Sequence, residues 1–271
     1  MVNGIIKKTE LKKLGEAVRK DSVFYVPVRS RDGISLVPFD PENEIDLNYS
    51  NFKQPPKRLF FPQSEMICAY NEDEMRDAPL NDEKRVVFGL RPCDVFSVNL
   101  LDKIFLDDKY TDPYYEIRRK NTVIISFGCK EPLTTCYCTS VGTSPSGKEG
   151  TDILARETDD SLLLESYSEK GNDFINTFSS FIKKPQKSDI DAVNKQSANA
   201  EKKISKIDFT NAAEKLDNNF ESPLWEEITR RCLGCGVCTF LCPTCHCFGI
   251  YDEKTGSEGT RSRVYDSCMF P

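Results

Sequence analysis

The chain has 271 residues, of which 38% are hydrophobic, and this is enough for one large domain or two modest domains with a proper core. Its 37 lysines and arginines against 43 aspartates and glutamates give a net charge of −6, which argues against general binding to nucleic acids or anionic membranes. No apolar run approaches the roughly 18 residues that span a bilayer, and the lysine-bearing start lacks the apolar segment of a secretion signal. We therefore expect a cytoplasmic protein without a membrane span.

Side chains that bind metals are distributed unevenly in this sequence. The one histidine, His246, excludes sites built from several histidines. The twelve cysteines are better explained as ligands of soft metals than as disulfide partners, because the chain is long and shows no export signal. These cysteines are Cys68, Cys93, Cys129, Cys136, Cys138, Cys232, Cys235, Cys238, Cys242, Cys245, Cys247 and Cys268.

The predicted elements of the first 182 residues alternate between strands and helices. The apolar patterns predict helices over residues 9–20, 95–106 and 173–182, and strands over residues 22–28, 34–39, 84–90, 122–127, 151–155 and 161–166. Cys93 falls in a tight turn, 91–94, between a strand and the following helix. Cys68 falls in an apolar run and is predicted to be part of the core.

The composition changes after residue 182 to Lys, Ser, Asn, Gln and Asp, which indicates an exposed helix or a mobile link over residues 183–206. Short helices are predicted over residues 211–218 and 221–230, and a strand over residues 263–266. The predicted fold class is therefore α+β. We expect a mixed α/β domain (1–182), a helical linker (183–222) and a partial α-helical ferredoxin-type 4Fe-4S domain (223–271).

The cysteine run near the end of the chain has the spacing C-x2-C-x2-C-x3-C-P, which is typical of cubane iron–sulfur clusters. Spacings of two residues let one curled loop present several thiolates to a single cluster. Gly234 and Gly236 permit backbone angles that a Cβ would resist, so we expect them to shape the cofactor-binding loop. The predicted ligands are Cys232, Cys235, Cys238 and Cys242.

Two other metal groups fit parts of the same run. Zinc binds four thiolates, although its motifs usually consist of two separated C-x2-C pairs. The segment 242–246 also spells C-x-x-C-H, the attachment motif of c-type haem, but its thiols overlap the ferredoxin run. In ferredoxins with two clusters the fourth cysteine ligates the other cluster. We therefore expect either a local fourth ligand, from Cys242, Cys245, Cys247 or Cys268, or a chain that continues past Pro271, which we favour.

A second group of cysteines lies in the first half of the chain. Cys93 and Cys129 each follow a predicted strand, and because strand ends in one sheet can lie side by side, we expect these thiols to approach each other. Cys136 and Cys138 would fold over them. This grouping predicts a further 4Fe-4S cluster in the amino-terminal domain. The alternative is that all four are buried free cysteines, which pack like small hydrophobic residues.

Several short segments together resemble a known protein family. They are residues 88–94 (FGLRPCD), 112–115 (DPYY), 136–140 (CYCTS) and 231–238 (RCLGCGVC), which runs into 242–248 (CPTCHCF). This ordered set is similar to the beta subunit of cytoplasmic sulfhydrogenases and to the ferredoxin-containing electron-transfer subunit of anaerobic sulfite reductases. The likeness extends from about residue 84 to the last residue.

The resemblance implies an electron-transferring subunit of a hetero-oligomer and not the site of substrate turnover. In that family the beta subunit relays electrons between a catalytic partner, a hydrogenase or sulfite reductase, and a flavin/NAD(P)-binding subunit. Family members typically continue with a second cysteine run. Two hypotheses from other classes stay open: a thiol or heterodisulfide-type reductase that uses Cys245 and Cys247, and a zinc-stabilised interaction module.

Overall fold

The computed structural model describes residues 3–267. Its strands are β1 (Asn3–Lys7), β2 (Val23–Ser30), β3 (Gly33–Pro38), β4 (Ser64–Tyr70), β5 (Met75–Asp77), β6 (Arg85–Leu90), β7 (Thr122–Phe127), β8 (Ile153–Glu157), β9 (Ser161–Ser166), β10 (Phe248–Thr255) and β11 (Glu258–Tyr265). Its α-helices are α1 (Leu11–Val18), α2 (Pro92–Phe105), α3 (Pro113–Lys120), α4 (Glu169–Thr177), α5 (Lys187–Lys202), α6 (Ala212–Asn218), α7 (Leu224–Thr229) and α8 (Val237–Leu241). Short 3-10 helices cover Lys8–Glu10, Pro56–Leu59 and Cys138–Ser140.

A seven-stranded mixed sheet forms the centre of the amino-terminal part, in the order β1-β9-β8-β7-β6-β2-β3. The four central strands, β8, β7, β6 and β2, are parallel to one another. Each of the three outer strands, β1, β9 and β3, pairs antiparallel with the strand beside it. Helices α1 and α4 pack on one face of the sheet, while α2 and Tyr115 of α3 pack on the other. β6 is buried along its whole length because both faces are covered.

Most of the predicted elements in this part are confirmed, and β7 and β9 have the predicted bounds. Helix α2 begins earlier than predicted, because Pro92 occupies its first turn and Arg91 and Asp94 form a capping box. Cys93 therefore lies within the helix and not in a turn before it. Residues 183–206 contain helix α5, which buries Val193 and Ala200. Among residues 3–267, no helix is both long enough and apolar enough to cross a bilayer.

The residues that follow the cysteine run form a β-hairpin. β10 and β11 are joined by a two-residue loop in which Gly256 has φ +63°. β11 also pairs with β4, whose far edge carries β5, and this gives a second sheet in the order β10-β11-β4-β5. The helical character predicted for the ferredoxin-type domain is not confirmed, since in the described residues the run leads into strands and its own helix α8 has only 5 residues.

A buried group of charges joins this second sheet to the amino-terminal part. Glu65 on β4 accepts hydrogen bonds from Arg118 of α3 and from Arg263 of β11, the latter at 2.5 Å. Arg263 also donates to Asp112, the residue that caps the start of α3. The side chains of Glu65, Arg118 and Arg263 are each less than 10% exposed. Two cations and two carboxylates are thus paired largely away from water, where the loss of one partner is strongly destabilising.

Replacing Arg263 with methionine is expected to lower the free energy of unfolding by about 3–5 kcal/mol, because Glu65 and Asp112 lose a buried partner. The measurement is urea unfolding of the full chain followed by circular dichroism. Arg261 on the same strand forms an exposed pair with Asp252, so Arg261→Met should leave the urea midpoint nearly unchanged. Equal losses in the two variants would contradict the role assigned to the buried group.

Candidate metal centres

The amino-terminal cysteines are positioned by the ends of two neighbouring parallel strands. β6 and β7 run in the same direction, so the residues that follow them meet at one edge of the sheet. Cys93 follows β6 in the first turn of α2, and Cys129 follows β7. Together with Cys136 and Cys138 they line one cavity of about 670 Å³. The four cysteines grouped by the sequence analysis thus border the same cavity, and their role as ligands stays a prediction.

Arg91 places a buried positive charge beside this group. Its guanidinium donates to the backbone carbonyls of Phe127 at 3.2 Å and Gly128 at 3.0 Å. In the described residues, all hydrogen bonds of this side chain go to carbonyl oxygens and none to a carboxylate. Burial raises the pKa of Cys129 to about 11, an effect that the charge of Arg91 opposes. Burial also raises the pKa of Cys93.

The later cysteine run has the curled backbone that its glycines predict. Gly234 and Gly236 have φ values of 65° and 68°, in the left-handed region that favours glycine. Helix α8 begins directly after Gly236 and carries Cys238 in its first turn. The amide of Gly234 donates to the sulfur of Cys232 at 3.4 Å. Amides that donate to cysteine sulfur are among the contacts that tune the reduction potential of iron–sulfur clusters.

The end of the run lies against the amino-terminal part. Cys242 Sγ lies 3.2 Å from Thr244 Oγ1. Burial acts to raise the pKa of Cys242, but its contacts with Thr244 and Cys245 outweigh burial and hold that pKa below its usual value. Burial and the contact with Cys242 raise the pKa of Cys245 to about 11. Lys57, from the 3-10 helix Pro56–Leu59, donates to the carbonyl oxygen of Cys245 at 2.9 Å.

The donor sets fit iron–sulfur ligation in their chemistry. The cysteines between residues 3 and 267 form no disulfide. Each set has an amide aimed at a sulfur, since Leu133 also donates to Cys136 Sγ at 3.3 Å. Closed ligand geometry is not present, because no three His, Cys, Asp or Glu side chains in the described range converge as ligands of a metal ion. Cys268, one of the alternative ligands, lies outside the described residues.

Two charged residues at these sites were missed by reasoning from the sequence. Arg91 belongs to the segment 88–94 and lies two residues before Cys93, so the sequence could have indicated a positive charge at this site. Lys57 gave no such signal, because it lies 188 positions before Cys245 and outside every motif. Long-range packing alone brings it to the cysteine run. Cys68, by contrast, is buried in β4 as the sequence predicted.

Comparison with known proteins identifies the family. Residues 231–271 match the 4Fe-4S dicluster domain. Sulfhydrogenase 2 subunit beta of Pyrococcus furiosus is 32% identical over 252 residues, which is 91% of this chain and 73% of that protein. The chain belongs to the sulfhydrogenase beta-subunit family. The resemblance expected from the sequence is thus confirmed, as is a 4Fe-4S assignment for the later cysteine run of this family member. No solved structure matches the chain.

In metal-free protein, Cys129 is expected to react slowly with iodoacetamide at pH 8, because a pKa of about 11 leaves about one thiol in a thousand ionised. The exposed Cys235 should be labelled much faster. The rate at Cys129 should rise about tenfold per pH unit between pH 8 and pH 10, as its thiolate fraction grows. Peptide mass spectrometry measures both rates. Similar rates for Cys129 and Cys235 at pH 8 would show that Cys129 is not shielded.

Proposed function

We propose that the chain is an electron-transfer subunit that relays single electrons between a catalytic subunit of hydrogenase or sulfite reductase type and a flavin/NAD(P)-binding subunit. The observation that carries this proposal is the cavity of about 670 Å³, which the four amino-terminal cysteines line together with three non-cysteine residues of the later run. These three residues are Leu241, Pro243 and Thr244, and the proposed ligand Cys242 lies between the first two in the sequence. A cluster held in part by Cys242 would therefore be a neighbour of a cluster in this cavity, which is the arrangement that an electron relay requires.

At the later run the proposed ligands are the four cysteines of the C-x2-C-x2-C-x3-C-P motif. A bound 4Fe-4S cluster accepts and donates one electron at a time, which requires burial and a tuned potential but no acid–base pair. The chain supports this chemistry through the left-handed Gly234 and Gly236 and the amide of Gly234. The proposed ligands are Cys232, Cys235, Cys238 and Cys242.

At the amino-terminal group we propose a second 4Fe-4S cluster. Support comes from the four thiols that line one cavity, from the amide of Leu133 on Cys136, and from the cation of Arg91. The Arg91 guanidinium makes no hydrogen bond to a carboxylate in the described residues, although the buried Asp94 lies close enough to feel its charge, and the thiolates of a bound cluster would be further anions beside it. The proposed ligands are Cys93, Cys129, Cys136 and Cys138.

The proposed partner subunits would cover apolar surface around the later run. Leu233 is 91% exposed, and Leu224, Ile228, Val237 and Leu241 are also exposed. Clustered exposed apolar side chains mark protein interaction surfaces more often than single ones do. We also propose a cytoplasmic location, where these thiols would remain reduced.

A thiol or heterodisulfide-type reductase is the second candidate function, because the thiols of Cys242 and Cys245 influence each other, which lowers the pKa of Cys242 and raises that of Cys245. Such a pair, with one pKa lowered and one raised, is typical of reactive dithiols. The variant Cys245→Ser/Cys247→Ser separates the two functions. An electron relay should keep its iron–sulfur absorption and most of its electron transfer to a dye, whereas a dithiol enzyme should lose turnover.

Iron analysis of the anaerobically purified full chain tests the relay, because two cubane clusters correspond to about eight irons with matching labile sulfide. The variant Cys93→Ser/Cys129→Ser should retain about four irons, and so should Cys235→Ser/Cys238→Ser. As the control, Cys68→Ala should keep the full iron content, since Cys68 lies in the core and not on the cavity. Folded wild-type protein without iron would overturn the proposed function. If the wild-type protein contains about four irons and Cys93→Ser/Cys129→Ser contains the same number, only the proposed amino-terminal cluster is ruled out.

A further inference from the structure

Lys57 is a buried lysine that has no carboxylate partner in the part of the chain that the structure describes. Its relative exposure is 2%, although lysine is almost never fully buried unless it is paired. Within residues 3–267 its ammonium group makes one hydrogen bond, to the carbonyl of Cys245 at 2.9 Å, and lies 4.7 Å from the centre of the Tyr265 ring. Neither contact neutralises a full positive charge. The described residues therefore leave this positive charge without a counter-ion.

The backbone holds Lys57 firmly in this position. Pro55 and Pro56 precede it, and Pro56 starts the 3-10 helix to which Lys57 belongs. The amides of Phe60 and Phe61 both donate to the carbonyl oxygen of Lys57, at 2.9 and 2.7 Å. Both phenylalanines are fully buried. The ammonium group is thus presented by a rigid segment of the amino-terminal part and not by a mobile loop.

The anions available to this ammonium group are sulfur atoms. Burial lowers the pKa of Lys57, and negative charge on Cys245, Cys242 and Cys247 acts in the opposite direction. All three residues belong to the end of the cysteine run. Metal-bound cysteines are deprotonated, so a cluster held by this run would bring net negative charge to the place that Lys57 faces.

We propose that Lys57 is a fixed counter-ion that raises the reduction potential of the 4Fe-4S cluster at the later cysteine run. The inference rests on the proposed function, since it requires a cluster at that run. One-electron reduction adds one negative charge and no proton, so a neighbouring cation stabilises the reduced form. Lys57 is a positioning residue in this role, because it acts on the cluster through charge and through the Cys245 carbonyl.

The experiment compares Lys57→Met, which removes the charge, with Lys57→Arg, which keeps it. Both are made in the full chain that also carries Cys93→Ser/Cys129→Ser, so that the signal comes from the later run alone. Lys13→Met is the matched control, because it removes the same formal charge from an exposed residue paired with Glu10. Each anaerobic protein is analysed for iron and titrated with dithionite as the electron donor, while electron paramagnetic resonance follows the reduced cluster.

Lys57→Met is expected to retain about four irons but to show a reduced-to-oxidised ratio about tenfold lower at the midpoint potential of the parent, a shift of about 59 mV for one electron. Lys57→Arg and Lys13→Met should stay close to the parent. A midpoint for Lys57→Met equal to that of the parent, with iron present, overturns the inference and leaves the proposed function intact. Absence of iron from the parent overturns the proposed function instead.

Loss of iron from Lys57→Met is resolved by the charge-retaining variant. Iron retained by Lys57→Arg and lost by Lys57→Gln supports the counter-ion, because the first replacement keeps the positive charge and the second removes it. A simple packing defect would not depend on that charge. Iron lost by Lys57→Arg as well overturns it, since the shape of lysine and not its charge would then be what the site requires.

Discussion

Glu65 holds two arginines from distant parts of the chain in one buried site, and the rest of the architecture depends on that contact. The pairing of Arg263 with Glu65 fixes β11 on β4, and β10 follows because it pairs with β11. The start of β10 and the end of β11 thereby contact the ring of Phe61, which lies 6.2 Å from Phe248 and 4.8 Å from Tyr265. The position of the last cysteines of the run is thus set by a charge cluster that contains no cysteine.

The features that could be predicted from the sequence are those that depend on local pattern. The apolar residues of β6 and β7 indicate buried strands, and neighbouring parallel strands necessarily bring Cys93 and Cys129 to one edge. The glycine spacing of the later run likewise predicts its left-handed turns. Of the hairpin β10–β11, only the end of β11 was predicted, as the strand 263–266, and β10 was missed because most of it is exposed and polar and lacks the alternation that marks a half-buried strand. The register of the hairpin is instead imposed by β4, which lies far away in the sequence.

Each of the two cysteine groups has a buried cation beside it, and no cysteine motif includes that cation. Arg91 stands beside the first group and Lys57 beside the second, each buried and hydrogen-bonded only to backbone carbonyls in the described residues. Such charges are unfavourable in the metal-free chain and become favourable when anionic ligands surround them. If the proposed clusters bind, metal binding and completion of the fold would be coupled, as is general for cysteine-ligated sites. A search by spacing finds the sulfur atoms but not the cations opposite them.

The return of β11 to β4 also bears on how this module could be transferred between proteins. Residues 231–267 carry the later cysteine run and the hairpin, but not the strand against which the hairpin lies. A fragment excised at those limits would expose one long unpaired strand edge, which is a template for self-association. Transplantation of the motif would therefore have to include β4 or supply a substitute strand. The cysteine run and its hairpin thus depend on a strand that lies more than 150 residues earlier in the chain.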